Sequence, residues 1–460
     1  MQSKIEIENL ERCLAPLYDH FQFVRALFME TDGLTISSNL NQTFAEPLPQ
    51  KRGVVFSVLQ NGVLHEGSSV VHSIRDVKRT IEKLRETVRK STVHGSIHLE
   101  KDAPLKKQFL SPVSQSVDLH ERIHFSRSLA HEIKAKNNSV AMASTRFRQT
   151  NQREIFVSQT KSLEQEIPRF EAIFSAVLKN SDGSQTAQIY DGYGKRGSWE
   201  CMKENLHLID AMLVDGERIL SAPRLTPGMH ECIFSPSLAG ILAHEAFGHG
   251  TEADTMLKGR AKGSDYMGKR VASDLVYLYD SPALENQAAS YFFDHEGFLA
   301  RETRIVEAGI LNEPMTDQVS ANLLGIKRTP NGRRENYDHK IYTRMTNTFF
   351  KEGKDSLDAM IASMDDGYLI DRATNGMEDP KSWGIQLEAL VARRIRRGKL
   401  TDEYFSPVII TGDVPEILQS ISMVSSDFLI NGLGMCGKGY KEWVKVTDGG
   451  PYLKLRARLA

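Results

Sequence analysis

His244 and His249 stand five residues apart in the run Leu242-Ala243-His244-Glu245-Ala246-Phe247-Gly248-His249-Gly250. The flanks of this run read as helix. Ser235 can cap its N-terminus, Pro236 falls where a first-turn proline is tolerated, and Leu238, Ile241 and Leu242 make an inward face. A His-Glu pair on such a helix, with a second histidine close behind, is how zinc hydrolases bring two imidazoles and one carboxylate together. The common spacing of four puts both rings on one face. A spacing of five, at about 100° per residue, sets them roughly 140° apart on a regular helix, too far for one ion. If both bind one metal, the helix must bulge or unwind between them. A π-bulge absorbs one extra residue, and Gly248 and Gly250 give the backbone room for it.

A third ligand has to come from elsewhere in the chain. Glu252 is close in sequence, and Asp294, His295 and Glu296 form another polar cluster. Cys436 is the best candidate, because Gly432, Gly434, Gly437 and Gly439 surround it and allow close backbone approach to a ligand. The four cysteines (Cys13, Cys201, Cys232, Cys436) have no paired spacing, so no disulfide framework is expected in the 460 residues. A cysteine with a role should then act as a thiolate. The start, Met-Gln-Ser-Lys-Ile-Glu-Ile-Glu, lacks a secretory pattern, and no stretch approaches the roughly 18 apolar residues of a membrane span. These features predict a cytoplasmic protein without a membrane segment. A formal net charge of −1 provides no global field toward nucleic acid, so none is expected as a partner.

The length calls for two or three domains, and the patterning predicts an α+β chain. Asn61-Gly62 suits a type I′ hairpin turn between apolar runs. Ile74, Val77, Ile81, Leu84 and Val88 mark an amphipathic helix over 73–90, and Asp118 with Glu121 opens another toward Lys136. Residues 1–50 are weakly patterned, and short β-rich runs follow from Val140 to Tyr190. Three glycines within 191–198 read as a linker. The boundary is placed there. Residues 1–195 form an N-terminal domain of helices and antiparallel sheet, expected to shape a substrate groove or a dimer contact. Residues 196–460 form a β-rich metal-binding domain.

Taken together, these residues resemble the TldD/PmbA (TldD/TldE) family of metallopeptidases. The resemblance rests on His-Glu-x-x-x-His-Gly with the acidic stretch to Asp254, and on Asn331-Gly-Arg-Arg-Glu-Asn-Tyr337 and Arg344-Met-Thr-Asn-Thr348. It extends to Asp366-Gly-Tyr-Leu369 and the glycine-flanked Cys436. It covers roughly residues 200–460 and weakens toward 140. It implies one zinc per chain on His244, His249 and Cys436, with Glu245 catalytic. It also implies cleavage of short or unfolded peptides bound in extended form, and work as a dimer, either of like subunits or with a relative of the TldE/PmbA type that lacks the motif. The stretch Asn375-Gly-Met-Glu-Asp-Pro-Lys-Ser-Trp-Gly384 departs from the family pattern of glycines and a Val-Asp pair. That departure bears on substrate preference and leaves the metal motif intact.

Three protein ligands leave a fourth zinc position for water, whose pKa then falls toward about 7. Glu245 is expected to accept the water proton and pass it to the leaving amine. Two other readings compete with this one. The site could serve a small amide, or the chain could be a non-catalytic peptide-binding subunit. Arg333-Arg334 could position substrate or fix a loop. The basic run Arg393 to Lys399 is expected on the exposed face of a hairpin, with a contact to a peptide carboxylate as the alternative.

Overall fold

The structure is a computed structural model and describes residues 4–99, 102–111, 117–440 and 442–460. Its first half is built on β1 (Phe23–Asn39), β2 (Thr43–Pro47), β3 (Lys51–Gln60), β4 (Val63–Val70), β5 (Leu105–Phe109), β6 (Val140–Ser158), β7 (Lys161–Lys179) and β8 (Thr186–Arg196). The sheet order is β4-β3-β1-β6-β7-β5, with β2 on β1 and β8 on β7. All pairs are antiparallel except β5 with β7. Asn61 (φ 51°) and Gly62 (φ 70°) make the turn expected between β3 and β4.

Four helices cover this sheet. At one end α1 (Ile7–Leu14) and α2 (Ile74–Arg89) bury Leu10, Leu14, Val77, Ile81 and Val88 against Ala26, Phe28 and Phe56. At the other, α3 (Leu119–Lys136) and α4 (His207–Ile219) bury Leu129, Ile133, Met212 and Leu213 against Phe147, Phe170 and Phe174. Ser73 and Asp76 box the start of α2, and Asp118 caps α3. The opposite face of β1 places Leu27 and Met29 against Phe293 from the second half. β1 is thus buried on both faces. That explains why the first 50 residues show no alternation, since alternation marks a half-buried strand.

Two readings of this region change. The runs from Val140 are parts of strands 19 residues long, β6 and β7. Residues 191–196 are no linker but the end of β8, paired with β7 from Lys179↔Thr186 to Arg169↔Arg196. The glycines belong to close backbone packing there, since a side chain on Gly194 would meet the carbonyl of Gly432.

The second half is β-rich. β9 (Gly228–Phe234) leads through Ser235 into α5 (Pro236–Ala243). β10 (Leu278–Asp280), β11 (Thr303–Glu307) and β12 (Ile310–Leu311) follow, and then β13 (Gly332–Arg333) pairs with β14 (Tyr342–Thr343). The remaining strands are β15 (Asn347–Phe350), β16 (Asp366–Asp379), β17 (Gly384–Arg396), β18 (Lys399–Phe405), β19 (Val408–Asp413), β20 (Met423–Asn431), β21 (Met435–Lys438), β22 (Glu442–Lys445) and β23 (Thr447–Leu459). The large sheet runs β12-β11-β10-β15-β23-β19-β17-β16-β9, and β23 also pairs with β9. That last ladder closes β9, β16, β17, β19 and β23 into a ring. Helix α5 packs into its core: Leu238, Ala239, Leu242 and Ala243 share one cluster with Phe234, Ile370, Leu387, Ile410 and Leu455. A helix apolar on nearly every side has to be interior. Among the described residues no helix is long and apolar enough to cross a membrane.

Candidate metal centre

Helix α5 begins as its sequence dictates. Ser235 accepts a hydrogen bond from the amide of Leu238, and Pro236 occupies the first turn. It does not continue regularly. Residues His244–Gly248 form a π-turn, followed by a 3-10 turn over His249–Thr251. The wider turn takes up the extra residue between the histidines. Their ring centroids lie 5.2 Å apart with planes at 84°.

Cys436 reaches the same place from β21. Its Sγ lies 3.4 Å from Nε2 of His249, and one ligand atom each from His244, His249 and Cys436 falls within 4.8 Å of the others. Nitrogen and sulfur bound to one tetrahedral zinc at about 2.0 and 2.3 Å stand about 3.5 Å apart. Nδ1 of His244 is buried and has no partner among the described residues. The donor set therefore fits a zinc ion. Burial alone would raise the Cys436 thiol, but His249 and His244 outweigh it and hold it well below its ordinary value. Burial lowers His249, and Cys436 and Glu252 reverse that shift. The thiolate and imidazoles are electrostatically matched.

The other candidate ligands lie elsewhere or do other work. Glu252 accepts from Nδ1 of His249 at 3.2 Å and from Nζ of Lys438 at 2.9 Å. Burial would raise its carboxyl, but Lys438 and His249 bring it down to about 2. It holds the His249 ring and does not join the three-residue group. His295 and Glu296 tie the two halves of the chain together, while Asp294 braces its own loop. Asp294 accepts from the amides of Glu296 and Phe298, each at 2.9 Å. His295 Nε2 lies 3.0 Å from Glu154, and Glu296 lies 3.1 Å from Arg25.

The arginines left open by the sequence are structural here. Arg333 donates to the carbonyls of Met345 and Lys445, the latter at 2.8 Å. Arg334 bonds Glu66 of β4 at 2.8 Å. Arg393 to Lys399 lie on the β17–β18 hairpin, where Arg394 pairs with Asp366 and Arg396 with Glu403. Arg397 (φ 50°) and Gly398 (φ 71°) form its turn.

Two supports escaped sequence reading. Arg344, fully buried, donates to the carbonyl of Cys436 at 2.6 Å and of Glu442 at 3.1 Å. Asp280 gathers Asn331, Thr346 and Thr348, with bonds of 2.7, 2.7 and 2.8 Å. Glu378 of β16 lies against the 3-10 turn, its Oε1 3.2 Å from where a side chain on Gly250 would begin. One signal was available for Lys438. It stands two residues after Cys436 on a strand, so both point to one face.

Glu245 follows its histidine on the π-turn and is partly exposed. A side chain on Gly376 of β16 would come 2.7 Å from its Cγ, so this strand packs directly on the glutamate.

Residues 227–457 match a family model described as the PmbA/TldA metallopeptidase C-terminal domain. A Buchnera aphidicola (subsp. Acyrthosiphon pisum) protein named Metalloprotease TldD homolog is 35% identical over 237 residues, 51% of this chain and 49% of that protein. A Saccharolobus solfataricus protein named Zinc metalloprotease TldD homolog is 32% identical over 230 residues, 50% of this chain and 51% of that one. The chain thus spans about half the length of these curated relatives. Among solved structures, TldE from Thermococcus kodakarensis superposes with a TM-score of 0.77 over 98% of this chain and 100% of that one, at 17% identity. The fold is shared along the whole chain.

Proposed function

Because the chain belongs to the TldD/PmbA metallopeptidase family, we propose that it is a zinc-dependent peptidase that hydrolyses short or unfolded peptides. The observation that carries this reading is the meeting of two imidazoles and one thiolate beside Glu245. One zinc per chain would be held by His244, His249 and Cys436, and it supplies Lewis acidity that makes water nucleophilic near neutral pH and polarises the scissile carbonyl. Glu245 takes the proton of the attacking water and returns it to the leaving amine. Glu252 holds the His249 ring, with Lys438 balancing its charge.

Strand β16 supports a peptide substrate. β9 pairs with it only at Tyr368, Leu369 and Ile370, so the edge beyond has no partner strand among the described residues, and one face of that stretch packs on Glu245 at Gly376. An extended peptide laid there is gripped through its main chain. Family resemblance supports a dimer, of like subunits or with a TldE/PmbA-like subunit, and native mass tests this. A cytoplasmic location belongs to the same proposal, and all four cysteines are free.

Glu245→Gln is expected to keep stoichiometric zinc and lose hydrolysis of an unfolded peptide. Wild-type turnover by that variant would remove Glu245 from the mechanism. Turnover unchanged by a chelator that strips the metal would remove the metallopeptidase reading.

A further inference from the structure

Glu378 lies outside the mechanism above, yet it faces the metal centre. It stands two residues after Gly376 on β16, on the same face and about 7 Å along the strand. Gly376 packs on Glu245. A side chain placed on Gly250, the residue after His249, would stand 3.2 Å from Oε1 of Glu378 and 3.4 Å from Nε1 of Trp383. The carboxylate and the indole nitrogen therefore border one gap.

All three polar atoms around that gap are buried without a hydrogen-bond partner among the described residues, namely both Glu378 oxygens and Trp383 Nε1. Trp383 has no solvent exposure. Buried polar groups are normally paired, and a carboxylate left alone beside other carboxylates is costly. The nearby cation of the chain, Lys262, lies over the face of the Trp383 ring, its Nζ 5.0 Å from the centroid. No ion pair joins it to Glu378 among the described residues.

We propose that Glu378 and Trp383 form a subsite for a cationic nitrogen of the substrate, next to the metal centre. The proposal rests on the peptidase reading and narrows it to peptides carrying an ammonium group close to the scissile bond. A spacing of about 7 Å matches one or two residues of extended peptide. The Glu378 oxygens accept from the ammonium. The indole N–H, a donor only, suits the carbonyl oxygen beside it. Burial pushes the Glu378 carboxyl up to about 9, with His249 opposing and Glu245 and Glu252 adding to the shift. A bound cation favours the ionised form and offsets that cost. The ammonium could be a free N-terminus or a lysine side chain. Both have the same chemistry at this gap.

Calorimetry on the zinc-loaded Glu245→Gln protein tests this without consuming the probes. The probes are an alanine pentapeptide with a free amino terminus, its N-acetylated form, and acetylated forms carrying one lysine or one norleucine. The free-amine or the lysine peptide should bind at least about tenfold more tightly than its neutral match. Which of the two is preferred identifies the source of the cation. With Glu378→Gln added, the preference should fall below about twofold. Equal binding of charged and neutral probes while Glu378 is present overturns the subsite and leaves the gap to water or to Lys262. So does a preference that survives Glu378→Gln. The native residue alone can decide the matter, whatever the variant does to folding. Cation-selective binding without hydrolysis by the Glu245-containing protein would sink the peptidase reading and keep the subsite. Hydrolysis without charge preference would do the reverse.

Discussion

Nδ1 of His249 lies 3.2 Å from Oε2 of Glu252, so the ring is held from behind while its Nε2 faces Cys436 at 3.4 Å. This places Glu252 behind the proposed metal ligands. Removing its charge should loosen the ring without removing a ligand. Glu252→Gln is therefore expected to weaken zinc binding about 10- to 100-fold, measured by competition with a chromophoric chelator. Unchanged affinity would show that the ring needs no such support.

Cys436 is the proposed ligand that arrives from farthest away, 187 residues beyond His249. Cys436→Ser should lose stoichiometric zinc, read by metal analysis of the purified protein. Full retention would move the third ligand to Glu252, which already contacts His249.

Arg344 anchors the hairpin that bears the cysteine through the carbonyls of Cys436 and Glu442. Arg344→Met leaves both carbonyls without their charged donor. We expect a loss of about 2 kcal/mol in stability by denaturant unfolding, together with weaker zinc binding. A variant as stable as the parent would mean that the hairpin is held by its own ladder.

The contact between the two halves should depend on pH. Burial works against the charge of Glu66, but Arg334 and Arg25 outweigh it and hold its pKa below the ordinary value. A group depressed in the folded state stabilises it fully above its unfolded pKa of about 4.3. That contribution is lost as pH falls through the lower folded value. Acid titration of unfolding should therefore show a smaller slope below about pH 4.3 in Glu66→Gln than in the parent. Identical slopes would place the acid sensitivity in other carboxylates.

Much of the site was legible because its information is local. The five-residue spacing of His244 and His249 called for a bulge or an unwinding if both were to meet one metal, and the chain makes a π-turn at His244–Gly248. Ser235, Ser73 and Asp118 announced helix starts through their own side-chain bonds. Asn61-Gly62 announced a turn because both residues tolerate φ above zero.

What stayed hidden depends on partners distant in the chain. Strand β1 shows no alternation because helices bury one face and Phe293 the other. The glycines of β8 resemble a linker until Gly432 is seen against Gly194. Arg333, Arg334 and Arg344 acquire roles only once the carbonyls and carboxylates they meet are brought beside them. Spacing along a chain encodes helix phase and turn type, because those depend on neighbouring torsions. Which thiolate, arginine or unpaired glutamate reaches the histidines depends on closing a ring of strands around α5, and no local torsion records that.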